Sequence, residues 1–312
     1  MSAPTLSVII ATHNDHVELA NTVASIRATS DADRVEVVVV DDSSSIPVAP
    51  IERAKLRRNS RRIGCGPSRF VGATMADGEY FLICDSHMRF GDNWYQNAMP
   101  LLQPKTLHCG TCVALGKEMN PNVGSPYHGA TWNFCGPFRS GKLKDDPRYN
   151  QVFECVWGEK PTTDESPIPA VMGASYFIHR EWFFELDPLR HLRMWGGDEQ
   201  ELSLKAWLAG GEIRLLNTVR IGHLFREGKV SSSYVMPWHV LYNKLFIAHT
   251  CLPPELAMRI HAKFQRELQF SMALSAIRND WHLLETARSY NLKIFEQSFE
   301  WYLEAFGLTF PR

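Results

Sequence analysis

The chain has 312 residues, 45% of them hydrophobic and 21% charged, with a formal net charge of −1. A chain of this length buries a large core, and the composition is that of a globular protein, which excludes a disordered or collagen-like class. The near-zero charge excludes bulk attraction to nucleic acid or to a membrane surface and leaves only local patches.

The N-terminus, Met1-Ser2-Ala3-Pro4-Thr5, enters a strand-like segment without the basic flank and apolar stretch of a signal peptide. The longest apolar runs, such as Val37 to Val40, are too short to cross a bilayer. Seven irregularly spaced cysteines fit a reduced intracellular protein rather than a disulfide framework. A cytoplasmic location without a membrane span is therefore expected. Cys109-Gly110-Thr111-Cys112 has the gap of a zinc knuckle, but no second pair answers it, so it reads as two small buried residues of a strand.

Leu6 to Ala11 is apolar and β-branched, and a helix signal runs from Thr12-His13-Asn14-Asp15 to about Thr29, with Asn14 or Asp15 as its cap. Val35 to Val40 is a second buried strand, closed by Asp41-Asp42-Ser43-Ser44-Ser45. Strand, helix and strand within about forty residues make a βαβ unit of a parallel sheet. Arg69 to Ala76 reads as another helix and Tyr80 to Cys84 as another buried strand ending at Asp85. Ligands of such sheets collect beyond the carboxyl ends of the strands, where Thr12, Asp41 and Asp85 all lie. Gly116 to Pro169 is irregular and reads as strands and long loops over the site. Ala170 to His179 returns to a strand pattern, Glu199 to Ala209 is helical with Gly210-Gly211 as its stop, and Ile213 to Ile221 is again strand-like. From Trp238 onward the pattern is helical: Ala257 to Phe270, then Leu274 to Phe306 with breaks near Asp280 and Asn291. The expected division is a catalytic α/β domain over residues 1–250 and a helical extension over 251–312.

Asp85 and His87 alternate along an extended segment, so both side chains are expected to point one way, with Ser86 elsewhere. An acid and an imidazole at a strand end suit a divalent cation that bridges the phosphates of a nucleoside diphosphate, with His223 as a third protein ligand. The imidazoles favour manganese over magnesium, which prefers all-oxygen ligation.

Three stretches, Val8-Ile9-Ile10-Ala11-Thr12-His13-Asn14-Asp15, Val39-Val40-Asp41-Asp42-Ser43-Ser44 and Cys84-Asp85-Ser86-His87, look like the donor-site motifs of family-two-type glycosyltransferases of the GT-A fold. Asp85-Ser86-His87, Trp195-Gly196-Gly197-Asp198 and Val219-Arg220-Ile221-Gly222-His223-Leu224-Phe225-Arg226 resemble, more narrowly, the catalytic domain of polypeptide N-acetylgalactosaminyltransferases over about residues 5 to 250. The resemblance implies a mixed, mostly parallel sheet flanked by helices. It implies manganese on Asp85, His87 and His223, uridine contacts from Thr12 and Asp41, and Gly64 and Arg69 near the nucleotide. It also places Trp195, Gly196, Gly197 and the following acid beneath the donor sugar and acceptor. This chain departs from the family in carrying Asp198 and Glu199 after the paired glycines, and Met88-Arg89 where the family carries an acid after the Asp-Ser-His motif.

The implied function is metal-dependent transfer of a sugar, with retention, from a nucleoside-diphosphate donor, UDP in the first instance, to a hydroxyl on a glycan, a protein or a modified nucleobase. With retention, no dedicated base is needed and Asp198 binds the sugar. With inversion, Asp198 or Glu199 is the general base. Arg53, Lys55, Arg57, Arg58, Arg61 and Arg62 form the one strong basic run; it reads as a solvated helix face, with a phosphate contact or a nucleic-acid acceptor (hydroxymethylated DNA bases) as sharper readings. Tyr127, Trp132, Phe134, Phe138 and Trp157 divide between core and stacking on a sugar or base. Two rival classes are a non-catalytic nucleotide-sugar-binding protein and a nucleotidyltransferase. The latter is disfavoured because Ala11-Thr12-His13-Asn14 is not a glycine-rich, lysine-bearing loop.

Overall fold

A computed structural model describes residues 5–134, 152–158, 163, 166–173, 175–225 and 236–310. Phe138 and Arg226 lie outside them. The first strand β1 (Leu6–Thr12) is followed by helix α1 (His16–Thr29), β2 (Val35–Asp41), β3 (Ala54–Arg58), α2 (Cys65–Met75), β4 (Tyr80–Cys84), β5 (Met88–Phe90) and α3 (Trp94–Ala98). Then come β6 (Thr106–Ala114), β7 (Ala130–Asn133), β8 (Glu154–Trp157), β9 (Ser175–His179), α4 (Arg180–Leu186), α5 (Asp198–Leu208) and β10 (Glu212–His223). Five helices finish the chain: α6 (Trp238–Cys251), α7 (Pro254–Phe264), α8 (Phe270–Asn279), α9 (Trp281–Ile294) and α10 (Phe299–Ala305).

Eight strands form one mixed sheet in the order β3-β2-β1-β4-β9-β6-β10-β5. β3, β2, β1 and β4 run parallel, β9 is antiparallel between β4 and β6, and β10 is parallel to β6 and antiparallel to β5. The period-two alternation of strand side chains explains why β1 and β2 are apolar throughout: Val8, Ile10, Val37 and Val39 pack into the layer holding α1 and α3, while Ile9 and Val38 pack into the opposite layer. This is the mixed, mostly parallel GT-A layout with helices on both faces, and the C-terminal segment is helical as its pattern predicts. No helix among the described residues is long and apolar enough to cross a membrane.

Four local expectations change. The helix expected from Arg69 begins at Cys65; Pro67 falls in its first turn, where proline is tolerated. Asp85-Ser86-His87 is not extended but turns the chain from β4 into β5. The break expected near Asn291 lies instead after Ile294; Asn291 is buried within α9 and its amide nitrogen donates to Thr250 O at 3.1 Å, so tertiary bonding rather than a helix end accounts for it. The basic run is no helix face: it includes the sheet-edge strand β3, in which Lys55 meets Glu36 and Asp77 at 2.6 Å and Arg58 meets Asp41 at 2.5 Å, while Arg53 just before it meets Asp33 at 2.9 Å. Cys109 and Cys112 are buried thiols of β6.

A candidate metal and donor site

β10 and β5 pair antiparallel, setting His223 opposite Met88, and the Leu224 N–H donates to His87 O at 3.1 Å. That pairing carries His223 to the turn after β4, although more than a hundred residues of chain separate them. One ligand atom from each of Asp85, His87 and His223 lies within 4.8 Å of the others. Asp85 Oδ2 is 3.7 Å from His87 Nε2 and 3.4 Å from His223 Nε2. His87 Nδ1 is 3.1 Å from Asp15 Oδ2, which also accepts from Ser86 Oγ at 2.7 Å. With its proton on Nδ1 toward Asp15, His87 presents the bare Nε2 to the cluster. Asp15 stands at the N-cap of α1 but makes no side-chain cap bond; its carboxylate is turned to the histidine instead.

Burial depresses the His87 imidazole, and His223 beside it adds to this against the pull of Asp85 and Asp15. Burial works against ionisation of Asp85, yet Arg69 and the two imidazoles hold its carboxyl well below the usual carboxylate range. An ionised carboxylate, a neutral imidazole with a fixed tautomer and a second imidazole whose Nδ1 is buried without a partner among the described residues fit a divalent cation of the manganese type.

Behind this cluster, Arg69 on α2 is 5% exposed. One of its terminal nitrogens donates to Asp198 Oδ2 at 2.5 Å and the other to Asp85 Oδ1. Asp198 opens α5 after Gly197, a left-handed N-cap. Burial raises the Asp198 carboxyl, with Arg69 opposing. Glu199 accepts from the Tyr176 hydroxyl at 2.8 Å, and burial, then the neighbouring Asp198, push its carboxyl up to about 7.

An acid whose folded pKa is raised binds more protons in the native state than in the unfolded chain between its ordinary 4.5 and about 7, so its ionisation destabilises the fold as pH rises through that window. Glu199→Gln is therefore expected to be close to wild type in stability near pH 5 and more stable than wild type above pH 7, by about 3 kcal/mol at most. Urea unfolding at pH 5 and pH 8 checks this; an unchanged difference between the two pH values counts against it.

The loop before α5 is held from two sides. Gly64 and Met194 form a β-bridge, and Cys65 N–H donates to Met194 O at 2.7 Å. From α6, the Asn243 amide nitrogen donates to Arg193 O at 2.9 Å and Gly196 O at 2.6 Å, and its oxygen accepts from Arg193 N–H at 2.7 Å. Helix α6 thus supports the paired glycines, although it lies at the end of the first expected domain. Gly64 has φ +107°, and a Cβ there would sit 2.3 Å from the Met194 backbone nitrogen. Gly64→Ala is expected to destabilise by roughly 3 kcal/mol or more, since a left-handed strain and a backbone clash add; thermal unfolding alongside a surface alanine control measures it.

Asp85, His87, His223, Arg69, Asp198, Glu199, Gly196, Gly197 and the 65%-exposed Trp195 line one cleft of about 550 Å³. Thr12, Asp41 and Gly64 do not line it. Thr12 is 3% exposed, and the Asp41 carboxylate accepts from Ser44 N–H at 2.8 Å, Val48 N–H at 3.2 Å and Arg58. Met88 is buried and Arg89 meets Glu18 at 2.7 Å, so neither faces the cleft. Among the aromatic residues, Trp132 and Phe134 stack in the core, whereas Trp157 stacks on Tyr127 at 4.2 Å and lines the cleft beside Phe225. Sequence reasoning missed Tyr176, hidden in an apolar strand, and Glu154, Gln200 and Lys244 on the cleft wall.

Residues 7–160 match the family "Glycosyl transferase family 2". Polypeptide N-acetylgalactosaminyltransferase 8 of Drosophila melanogaster is 30% identical over 248 residues, covering 74% of this chain and 40% of its own length. Polypeptide N-acetylgalactosaminyltransferase 16 of Homo sapiens is 29% identical over 321 residues, covering 96% of this chain and 53% of its own. The chain spans about half the length of such relatives. A crystal structure of GalNAc-T7 with UDP, GalNAc and Mn2+ superposes with a TM-score of 0.71 at 21% identity, covering 98% of this chain and 57% of that one, which establishes the shared fold. The chain carries a glycosyl transferase family 2 domain on a GT-A fold, and its sequence relatives are the polypeptide N-acetylgalactosaminyltransferases.

Proposed function

We propose that the protein transfers a sugar from a uridine diphosphate donor to a hydroxyl acceptor with retention of configuration, using a divalent cation, manganese in the first instance, on Asp85, His87 and His223. The observation that carries this reading is the convergence of those three side chains in a cleft that Asp198 and Glu199 also line. A bound cation would offset the charge that builds on the leaving diphosphate. Asp15 fixes the His87 tautomer, Arg69 fixes Asp85 and Asp198 relative to each other, and Gly196-Gly197 let the backbone approach the sugar. Asp198, tied to Arg69 at 2.5 Å, is suited to holding a sugar hydroxyl rather than to taking a proton.

Inversion is the second reading, favoured by Glu199, whose carboxyl near 7 suits a general base at neutral pH. The acceptor is a glycan or protein hydroxyl. The Arg53, Lys55 and Arg58 charges are each paired with acids, which supports these acceptors over a nucleic-acid backbone.

The test is a panel of nucleotide sugars with manganese, following release of nucleoside diphosphate by slow donor hydrolysis. One sugar giving signal, abolished by chelator, supports the reading, and the anomeric configuration of the product by NMR decides between retention and inversion. Nucleotide binding without any turnover would identify a binding protein, and release of pyrophosphate a nucleotidyltransferase.

A further inference from the structure

The cleft lining also carries a polar cluster that the proposed chemistry leaves unused. Lys244 on α6 has a side chain 2% exposed, and its ammonium donates to Glu154 Oε1 at 2.5 Å, Val152 O at 2.8 Å and Phe153 O at 3.3 Å. Those three bonds take all the donors an ammonium has. Gln200, in the first turn of α5 and 3% exposed, donates its amide to Glu154 Oε2, while its carbonyl Oε1 is buried with no partner among the described residues. Glu154, Gln200, Lys244 and Glu199 line the same cleft as the metal cluster.

Packing alone does not account for this wall. A buried ion pair is commonly no more stabilising than apolar residues of the same volume, and an unpartnered buried carbonyl is a cost. The hydrogen-bonding capacity left over is mainly that of acceptors, the second Gln200 N–H being the one donor of this cluster outside these bonds. The lysine donors are taken, whereas the Gln200 carbonyl and the remaining lone pairs of the Glu154 carboxylate stay available as acceptors. Such a surface takes O–H groups and turns away phosphates and carboxylates, the opposite of what a bound cation attracts.

We infer that the Glu154–Gln200 wall is a subsite for the hydroxyl groups of a neutral sugar ring, with Gln200 Oε1 accepting from one of them. The inference rests on the glycosyl-transfer reading. The same chemistry serves a donor ring or an acceptor ring, and the experiment separates the two.

Calorimetry with manganese would compare UDP, UDP-hexoses, their singly deoxygenated counterparts and a UDP-hexuronate on wild type and on Gln200→Met. Methyl hexosides, intact and singly deoxygenated, would be titrated into the UDP complex of each. Loss of one hydroxyl is expected to weaken wild-type binding about tenfold, and Gln200→Met to abolish that sensitivity while leaving UDP affinity within about twofold. Sensitivity in the UDP-hexose series assigns the donor ring, and sensitivity in the methyl hexosides the acceptor ring. Sensitivity to no hydroxyl, or sensitivity equal in both proteins, overturns the subsite while leaving glycosyl transfer intact. If the variant does not fold, the wild type alone decides: UDP-hexuronate binding as tightly as the neutral hexose overturns the inference. Failure of UDP itself to bind wild type removes the transfer reading and this inference with it.

Discussion

His87→Ala and His223→Ala are each expected to abolish turnover, a loss on the order of a thousandfold or more. Each substitution takes away one of three ligand atoms that lie within 4.8 Å of one another. Charge stabilisation at a leaving phosphate by a bound cation is a several-kcal/mol effect, and removing even one fixed donor from such a site costs a hundredfold to about a thousandfold. Asp85 is a different case, because its carboxylate also meets Arg69, so its replacement perturbs the buried network as well as the ion. Asp15→Asn is expected to be milder, about 10- to 100-fold in metal affinity, since it frees the His87 tautomer but leaves every ligand atom in place. Titration of manganese by electron paramagnetic resonance, together with donor hydrolysis, checks both outcomes. Full activity of either alanine variant in excess chelator sinks the metal assignment.

The order of effects also says what was readable from the chain. The strands β1, β2 and β4 are legible because both faces of a parallel sheet are covered, which leaves uninterrupted apolar runs such as Val37 to Val40. Asp85, His87, His223 and the Trp195-Gly196-Gly197-Asp198 segment were legible as motifs, and the fold brings them to one cleft. Their mutual distances were not legible, because they depend on β10 pairing antiparallel with the three-residue strand β5, a long-range register that no local pattern encodes. Asp15 shows the same limit from the other side. Its position at a helix start predicts a cap, yet its carboxylate bonds Ser86 and His87 instead. Tyr176 was invisible for a related reason: a tyrosine in an apolar strand reads as core, and only the position of β9 between β4 and β6 delivers its hydroxyl to Glu199. The start of α2 lies four residues before the expected Arg69, with Pro67 in the first turn, where proline has no helical bond to lose.

Arg69→Met is expected to destabilise the fold by about 3–5 kcal/mol near neutral pH, because it leaves two carboxylates without the guanidinium between them. Arg69 is 5% exposed and bridges Asp198 and Asp85, joining the element that ends β4 to the start of α5. In the wild type, Asp85 has a lowered folded pKa, so its contribution is present above its unfolded value and is lost only as pH falls through the lower folded one. Without Arg69, burial raises Asp198 further and lifts Asp85 against the two imidazoles alone, so the native state binds more protons than that of the wild type, and the variant gains stability relative to wild type as pH falls toward 5. Arg69→Lys keeps a charge but not the two-headed fork, so it is expected to recover the neutral-pH penalty only in part. Manganese supplies a second route to the same end: a cation on Asp85 would offset one of the two charges left without the guanidinium, so saturating metal should stabilise Arg69→Met more than it stabilises wild type. Urea unfolding of the three proteins at pH 8 and pH 5, with and without manganese, tests the account. A penalty independent of both pH and metal would mean that Arg69 acts through packing rather than through charge.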